Sequence, residues 1–287
     1  MSGTMIKSIA MVTMFMSHLY TFGYNVPRFF LMIGRIAAPL FIFCAVTIGL
    51  NYTSSVRKYV WRLYLLTLLM EWINVMIYMG DYYHNFVRTI LLIIVVITLL
   101  EGIIRKKKYA KLKLALFIIW QLITFAILAI MIIHFSKPET FLKLIATLTC
   151  SIFLLEGGII YIILGVFMYF FRNDYRKLGI VMVTVSVMMF ALFSTELVMK
   201  FDMFCHYHNM TMLCEHILAI IDNIFGMDPR FVERGVFAHP QWMMVFALPF
   251  ILLYNREKES KINLKWVGYI FYPLHLEILY LIALSQK

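Results

Sequence analysis

Nine stretches of the chain are apolar enough, and long or nearly long enough, to cross a bilayer as helices: 5–22, 29–50, 59–80, 88–104, 114–134, 142–171, 178–199, 240–254 and 266–284. A hydrocarbon core about 30 Å thick takes roughly 20 such residues in helix. The run 142–171 is too long for one straight span, and Gly157-Gly158 is expected to bend it or to begin a re-entrant segment. The pattern therefore predicts an all-α, polytopic helical membrane protein, a single integral membrane domain over 1–287. About nine transmembrane helices fit best, and eight to eleven are compatible with the pattern.

The polar segments between these runs orient them. RKKKYAKLK (105–113), RNDYRK (172–177), NREKESKINLK (255–265) and the pair Arg57-Lys58 carry most of the clustered positive charge. Nine spans with a cytoplasmic N-terminus put all four on the cytoplasmic side, as the positive-inside rule requires. YNVPR, MGDYYHN and the stretch 200–239 then fall outside. Within 200–239, MLCEHILAIIDNIFG has apolar residues at helical spacing with polar ones opposite, which predicts an interfacial helix in an extracytoplasmic loop. Met1 to Tyr24 has one early lysine, a Ser-His pair and no A-x-A site, so the first segment is expected to stay in the membrane.

Composition agrees: 63% hydrophobic, 14% charged, mean hydropathy +0.86. A soluble domain has about 25% charged residues, so a soluble enzyme, a disordered chain and a small secreted scaffold are all excluded. The net charge of +11 reads as topology, with the lipid bilayer as partner and no nucleic acid. The cysteines, at 44, 150, 205 and 214, show no C-x-x-C spacing, so neither a disulfide framework nor a zinc site is expected, and no metal is assigned. P-loop, dinucleotide, zincin and serine-hydrolase patterns are missing from the sequence. No repeat at a fixed period is visible, which disfavours a transporter built on inverted halves.

Ionisable groups inside spans are costly and mark function. Arg62, Glu101 and Glu196 lie near span ends, where snorkelling accounts for them. His18, Arg35, Glu71 (with Asn74 at i+3), Glu156 and His275 lie deeper. Pro39 leaves the Arg35 carbonyl without its helical donor, and Pro273 does the same to the Tyr269 carbonyl near His275. Tyr272 shares a face with His275 at i+3. Two histidines and an arginine facing a bundle interior fit proton transfer and anion stabilisation. A purely structural network of the same groups fits the spacing as well.

Three segments resemble one family. MIKSIAMVTMFMSHLY followed by IGRIAAPLFIFCAVTIGLNYTSSVRKYVWRLYLL is similar to the opening spans of TraX-like proteins. QWMMVFALPFILLYNREKESKINLKWVGYIFYPLHLEILYLI resembles their closing spans, and EGG…FMYFFR (156–172) a central part. The resemblance implies a polytopic bacterial cytoplasmic-membrane protein related to the pilin N-acetylase of conjugative plasmids, within the wider transmembrane acyltransferases. It implies acetyl-CoA as acyl donor and a peptide, glycan or small-molecule acceptor.

The family's first span commonly carries Asp-His. Here the pair is Ser17-His18, so the histidine's partner is expected from elsewhere, with Glu71 and Glu156 as candidates. Arg35 matches the family's Gly-Arg and His275 its Pro-Leu-His. The implied catalytic residues are thus His18, Arg35 and His275, converging in one cavity. Tyr272, Glu71, Asn74, Glu156 and Arg62 are the candidate substrate contacts. Arg57, Lys58, Arg172, Lys261 and Lys265 are candidates for the donor's phosphates. A transporter, or a non-enzymatic accessory or immunity protein, are the competing readings.

Overall fold

The computed structural model describes residues 1–78, 85–134, 139–227, 235–237, 239–255 and 265–285, and among them there are helices and turns but no strand. In chain order the elements begin with α1 (Gly3–Thr21), α2 (Phe29–Gly34) and α3 (Ala37–Phe43). A π-helical turn, Cys44–Gly49, leads into the short α4 (Leu50–Tyr52). Next come α5 (Val56–Ile73), continued by a π-helical turn at Asn74–Tyr78, α6 (Phe86–Ile104) and α7 (Ala110–His134). They are followed by α8 (Glu139–Leu148), α9 (Gly158–Phe170), α10 (Tyr175–Phe193), α11 (Leu197–Tyr207) and α12 (Thr211–Phe225). A 3-10 helix (Pro240–Ala247), α13 (Leu248–Leu252) and α14 (Lys265–Ser285) complete the series.

Five described segments are long and apolar enough to cross a membrane: Phe29–Gly49, Phe86–Ile104, Ala110–His134, Tyr175–Phe193 and Trp266–Ser285. Gly158–Phe170 and Pro240–Leu252 are shorter apolar helices. The all-α, polytopic membrane architecture expected from the pattern is thus what the chain forms. Contacts divide it into two compact units, Met1–Asn51 with Phe167–Leu218 and Asp228–Lys287, and Tyr52–Val166 with Ala219–Met227.

In the first unit α1 packs against α2, α3 and α14, and α10 against the 3-10 helix. Ile6, Ala10, Met14 and His18 recur every fourth residue and are all buried, so His18 continues an apolar stripe into the packed interior. The span 29–49 is not one straight helix. After Gly34 the amides of Arg35 and Ile36 bond the carbonyls of Met32 (3.2 Å) and Ile33 (3.1 Å), a tightened turn before α3. Pro39, with no N–H to offer the Arg35 carbonyl, accounts for the break at that point.

One cysteine expectation is corrected. Cys205 and Cys214 form a disulfide, with Cα atoms 6.2 Å apart. Asn209 adopts a left-handed φ of 55° after α11, and the Met210 amide returns to the Cys205 carbonyl at 2.9 Å. That turn reverses the chain and sets α12 beside α11, so a spacing that carries no motif in sequence still brings the two thiols together. The amphipathic segment read as an interfacial helix is α12.

In the second unit α5 packs on α6 and α8, and α7 on α6 and α8. The long run 142–171 is two helices, α8 and α9, separated by non-helical backbone over 149–157. The break comes earlier than Gly157-Gly158, and α9 starts at Gly158. A Cβ on Gly158 would lie 2.4 Å from the Gly226 nitrogen and the Ile224 carbonyl oxygen, so only glycine lets the end of α12 pass this close. Side chains from neighbouring helices satisfy the exposed backbone, as an apolar medium demands. Tyr64 Oη donates to the Leu148 carbonyl (3.0 Å) and Trp120 Nε1 to that of Thr149 (2.8 Å). Gln121 donates to the Cys150 carbonyl (3.2 Å) and accepts from the Ile152 amide (2.8 Å).

Candidate functional site

Two of the three residues read as catalytic meet inside the first unit. His18 and His275 are both buried, and His18 Nδ1 lies 2.8 Å from His275 Nε2. Tyr24 Oη, just past α1, donates to the Leu279 carbonyl at 2.8 Å and ties α1 to α14 beside the pair. Aromatic rings surround it. Phe271 is stacked on His275 with centroids 4.5 Å apart and planes 7° from parallel. Tyr272 stands edge-on to His275 at 6.1 Å, Phe15 lies at 6.3 Å, and Phe22 packs edge-on against His18.

The heavy-atom partners fix the protons. His275 Nδ1 is 2.5 Å from the Phe271 carbonyl oxygen, which can only accept. His275 therefore carries its proton on Nδ1, and in the neutral ring Nε2 is an acceptor. His18 Nδ1 must then donate to it, which leaves the lone pair of neutral His18 on Nε2. A carbonyl on α14 thus sets which nitrogen of a histidine on α1 is basic. This is the chemistry a general base needs.

Ser17, where the resemblance expects an aspartate, faces the other way. A Cβ placed on Gly34 would fall 2.1 Å from Ser17 Cβ, so position 17 is pressed against α2. The partner for His18 Nδ1 is His275.

Arg35 caps the end of α2, at the break described above. Its charge acts on His239, which precedes the 3-10 helix and is not singled out by any sequence pattern. Burial first, then the positive charges of Arg35 and Arg28, hold His239 below the usual histidine value, at about 4. Its ring lies 5.4 Å from that of Phe193, and its carbonyl accepts from Ser194 Oγ at 3.2 Å.

The second unit has its own polar core. Thr67, Glu71 and Asn74 share a buried face of α5 and its continuation. Glu71 Oε2 accepts from Thr147 Oγ1 (2.7 Å) and Asn85 Nδ2 (3.2 Å). Arg88 is wholly buried, and one of its terminal nitrogens donates to the same Thr147 hydroxyl at 3.1 Å. Its other terminal nitrogen holds the carbonyls of Phe153 and Leu154 in the unwound segment. Glu156 accepts from the Asn85 amide at 2.6 Å, at the entry to α6. Glu71 and Arg88 are thus joined through a hydroxyl, and Arg88 clasps the break between α8 and α9.

Arg88 is not among the residues singled out from the sequence, where it stands at the first position of the apolar run 88–104. Its position within α6, three residues after Asn85, was the available signal. Arg62 lies with its guanidinium 6.0 Å from the Tyr59 ring centroid.

The basic residues proposed for donor phosphates are spread along the chain. Arg57 and Lys58 are exposed in the first turn of α5. Arg172 is engaged by Tyr169, whose ring lies 4.2 Å from the guanidinium carbon and whose carbonyl accepts at 2.6 Å. Lys261 lies outside the described residues, and of Lys265 only the backbone, at the first residue of α14, is described. Glu101 and Glu196 form helix-surface pairs with Arg105 (2.8 Å) and Lys200 (3.3 Å).

A sequence profile described as TraX protein matches residues 2–283, essentially the whole chain. No curated protein and no solved structure matches.

Proposed function

From a chain that belongs to the TraX family, we propose a membrane-embedded acyltransferase of the bacterial cytoplasmic membrane. It transfers acetyl from cytoplasmic acetyl-CoA to a peptide amine or hydroxyl acceptor at or across the membrane. The observation that carries this reading is the buried His18–His275 pair, whose hydrogen bonds leave a basic nitrogen on His18. His18 Nε2 takes the acceptor's proton as the acceptor attacks the thioester, a contribution of about 10²–10⁴-fold. Arg35 faces the negative charge that develops on the carbonyl oxygen, and Tyr272 lines the acceptor side. Of the basic residues considered for the donor's phosphates, Arg172 belongs to the same compact unit as the pair.

The test is acetyl-CoA titration of the purified protein in detergent, beside His18→Ala and Arg35→Ala. Dependence of binding or hydrolysis on those residues supports acyl transfer, and independence of both removes it. A transporter is the second reading. It is favoured by the unwound segment between α8 and α9 and the Glu71–Thr147–Arg88 network beneath it, since broken helices line substrate paths in many carriers. Liposome uptake sensitive to Glu71→Gln or Glu156→Gln, with no acetyl-CoA dependence, would select it.

A further inference from the structure

The 2.8 Å bond between His18 and His275 joins two separate helices, so it lasts only while α1 stays seated on α14. On the α1 side the helix end is closed tightly. The Phe22 amide bonds the His18 carbonyl (2.9 Å), the Gly23 amide that of Tyr20 (3.1 Å) and the Tyr24 amide that of Leu19 (3.2 Å). Gly23 takes its left-handed φ of 80° at no steric cost, and the reversal holds Tyr24 against the turn that bears His18. On the α14 side, Leu279 stands one turn after His275 on the same face, and both follow Pro273. Proline offers no N–H to the preceding turn, so α14 is least stiff just before His275. The Tyr24 hydroxyl donates to the Leu279 carbonyl at 2.8 Å, and so grips the half of α14 that carries His275. The rings of Phe22 and Tyr280 pack beside this tie, with centroids 6.1 Å apart.

We propose that Tyr24 is a positioning residue for the base: its bond to α14 keeps His18 Nδ1 within reach of His275 Nε2. This rests on the acyl-transfer reading above. The tautomer of His18 is imposed from the Phe271 carbonyl through His275, over contacts of 2.5 Å and then 2.8 Å. Hydrogen bonds weaken steeply as they lengthen or misalign. That relay therefore needs the end of α1 to be fixed relative to His275, and Tyr24 is the side chain that spans the two just beyond the pair. It acts on the geometry of the histidines rather than on the reacting atoms. Tyr24→Phe keeps the ring and removes only the donor.

The experiment uses the full chain in lipid nanodiscs with 15N-labelled histidine, His18→Gln and His275→Gln serving to assign the two rings. At neutral pH the native spectra should show both rings protonated at Nδ1 and unprotonated at Nε2. In Tyr24→Phe the His18 signals should move towards a mixture of the two tautomers, while His275 keeps its proton on Nδ1. With acetyl-CoA and a short synthetic peptide bearing a free amine, Tyr24→Phe should lose about three- to tenfold in kcat at unchanged KM, the factor one ordinary hydrogen bond is worth. Tyr20→Phe, which removes a hydroxyl from the last turn of the same helix, should leave spectra and kcat unchanged. A Tyr24→Phe protein whose His18 spectrum matches the native one overturns the proposal. So does a rise in KM at unchanged kcat, which would make Tyr24 a substrate contact. Tautomers that respond to Tyr24→Phe in a protein without acetyl turnover keep the positioning role and count against acyl transfer alone.

Discussion

His18 and His275, 257 positions apart in the chain, share a hydrogen bond of 2.8 Å inside the membrane-type core. The bond is directional because the Phe271 carbonyl keeps the His275 proton on Nδ1. The tautomer of a histidine on the first helix is therefore set by a carbonyl on the last one. Ser17 is pressed against α2, and His18 Nδ1 meets a second histidine rather than a carboxylate.

That packing role is testable. Gly34→Ala adds a Cβ that would sit 2.1 Å from Ser17 Cβ, and should destabilise by about 1–3 kcal/mol. Ser17→Gly in the same chain should recover part of the loss. Ser17→Asp, which restores the family residue, should lower the melting temperature by a similar mechanism and should not raise activity.

In the second unit, Arg88→Met leaves the Phe153 and Leu154 carbonyls and the Thr147–Glu71 pair without their cation. Removing one side of a buried charge network costs about 3–5 kcal/mol. Glu71→Gln keeps the shape and an acceptor oxygen, and should cost about 1–1.5 kcal/mol. Thermal unfolding in detergent measures both, and the double variant should lose less than the sum.

A Cys205–Cys214 bond that persists in cells requires α11 and α12 to lie on an oxidising face. Unreduced peptide mapping should recover the two cysteines as one cross-linked species. A membrane-impermeant maleimide added to intact cells should label a Tyr207→Cys probe at the exposed end of α11. It should not label a Lys107→Cys probe in the loop after α6. Labelling in the reverse sense would invert the topology read from the positive charges.

His239 gives a pH signature. Its folded value, about 4, lies below the ordinary histidine value of 6.5, so between those limits the unfolded chain binds a proton that the folded chain refuses. Stability should fall as pH drops from about 6.5 towards about 4 and level off below, where both states are protonated. His239→Gln should flatten that slope, as read by melting temperature against pH.

Much of this was legible in the sequence. The apolar runs predict the helices, and Pro39 anticipates the break at Arg35. Periodicity assigns a face to each helix and says nothing of which faces meet, so it was the resemblance that put His18 and His275 in one cavity, and their direct 2.8 Å bond is what the structure adds. The disulfide escaped because a nine-residue separation becomes a contact only through the left-handed turn at Asn209. Arg88 escaped because a charge at the edge of an apolar run looks like a loop residue until a broken helix is found to need its donors.

The central claim rests on His18, and the most direct measurement is acetyl transfer from acetyl-CoA to a peptide amine by the native protein and by His18→Gln. Glutamine preserves a polar side chain in place of the ring but cannot accept the proton. The account predicts turnover by the native chain and a loss of about 10²–10⁴-fold in the variant at comparable melting temperature. Equal rates in the two folded proteins would contradict it.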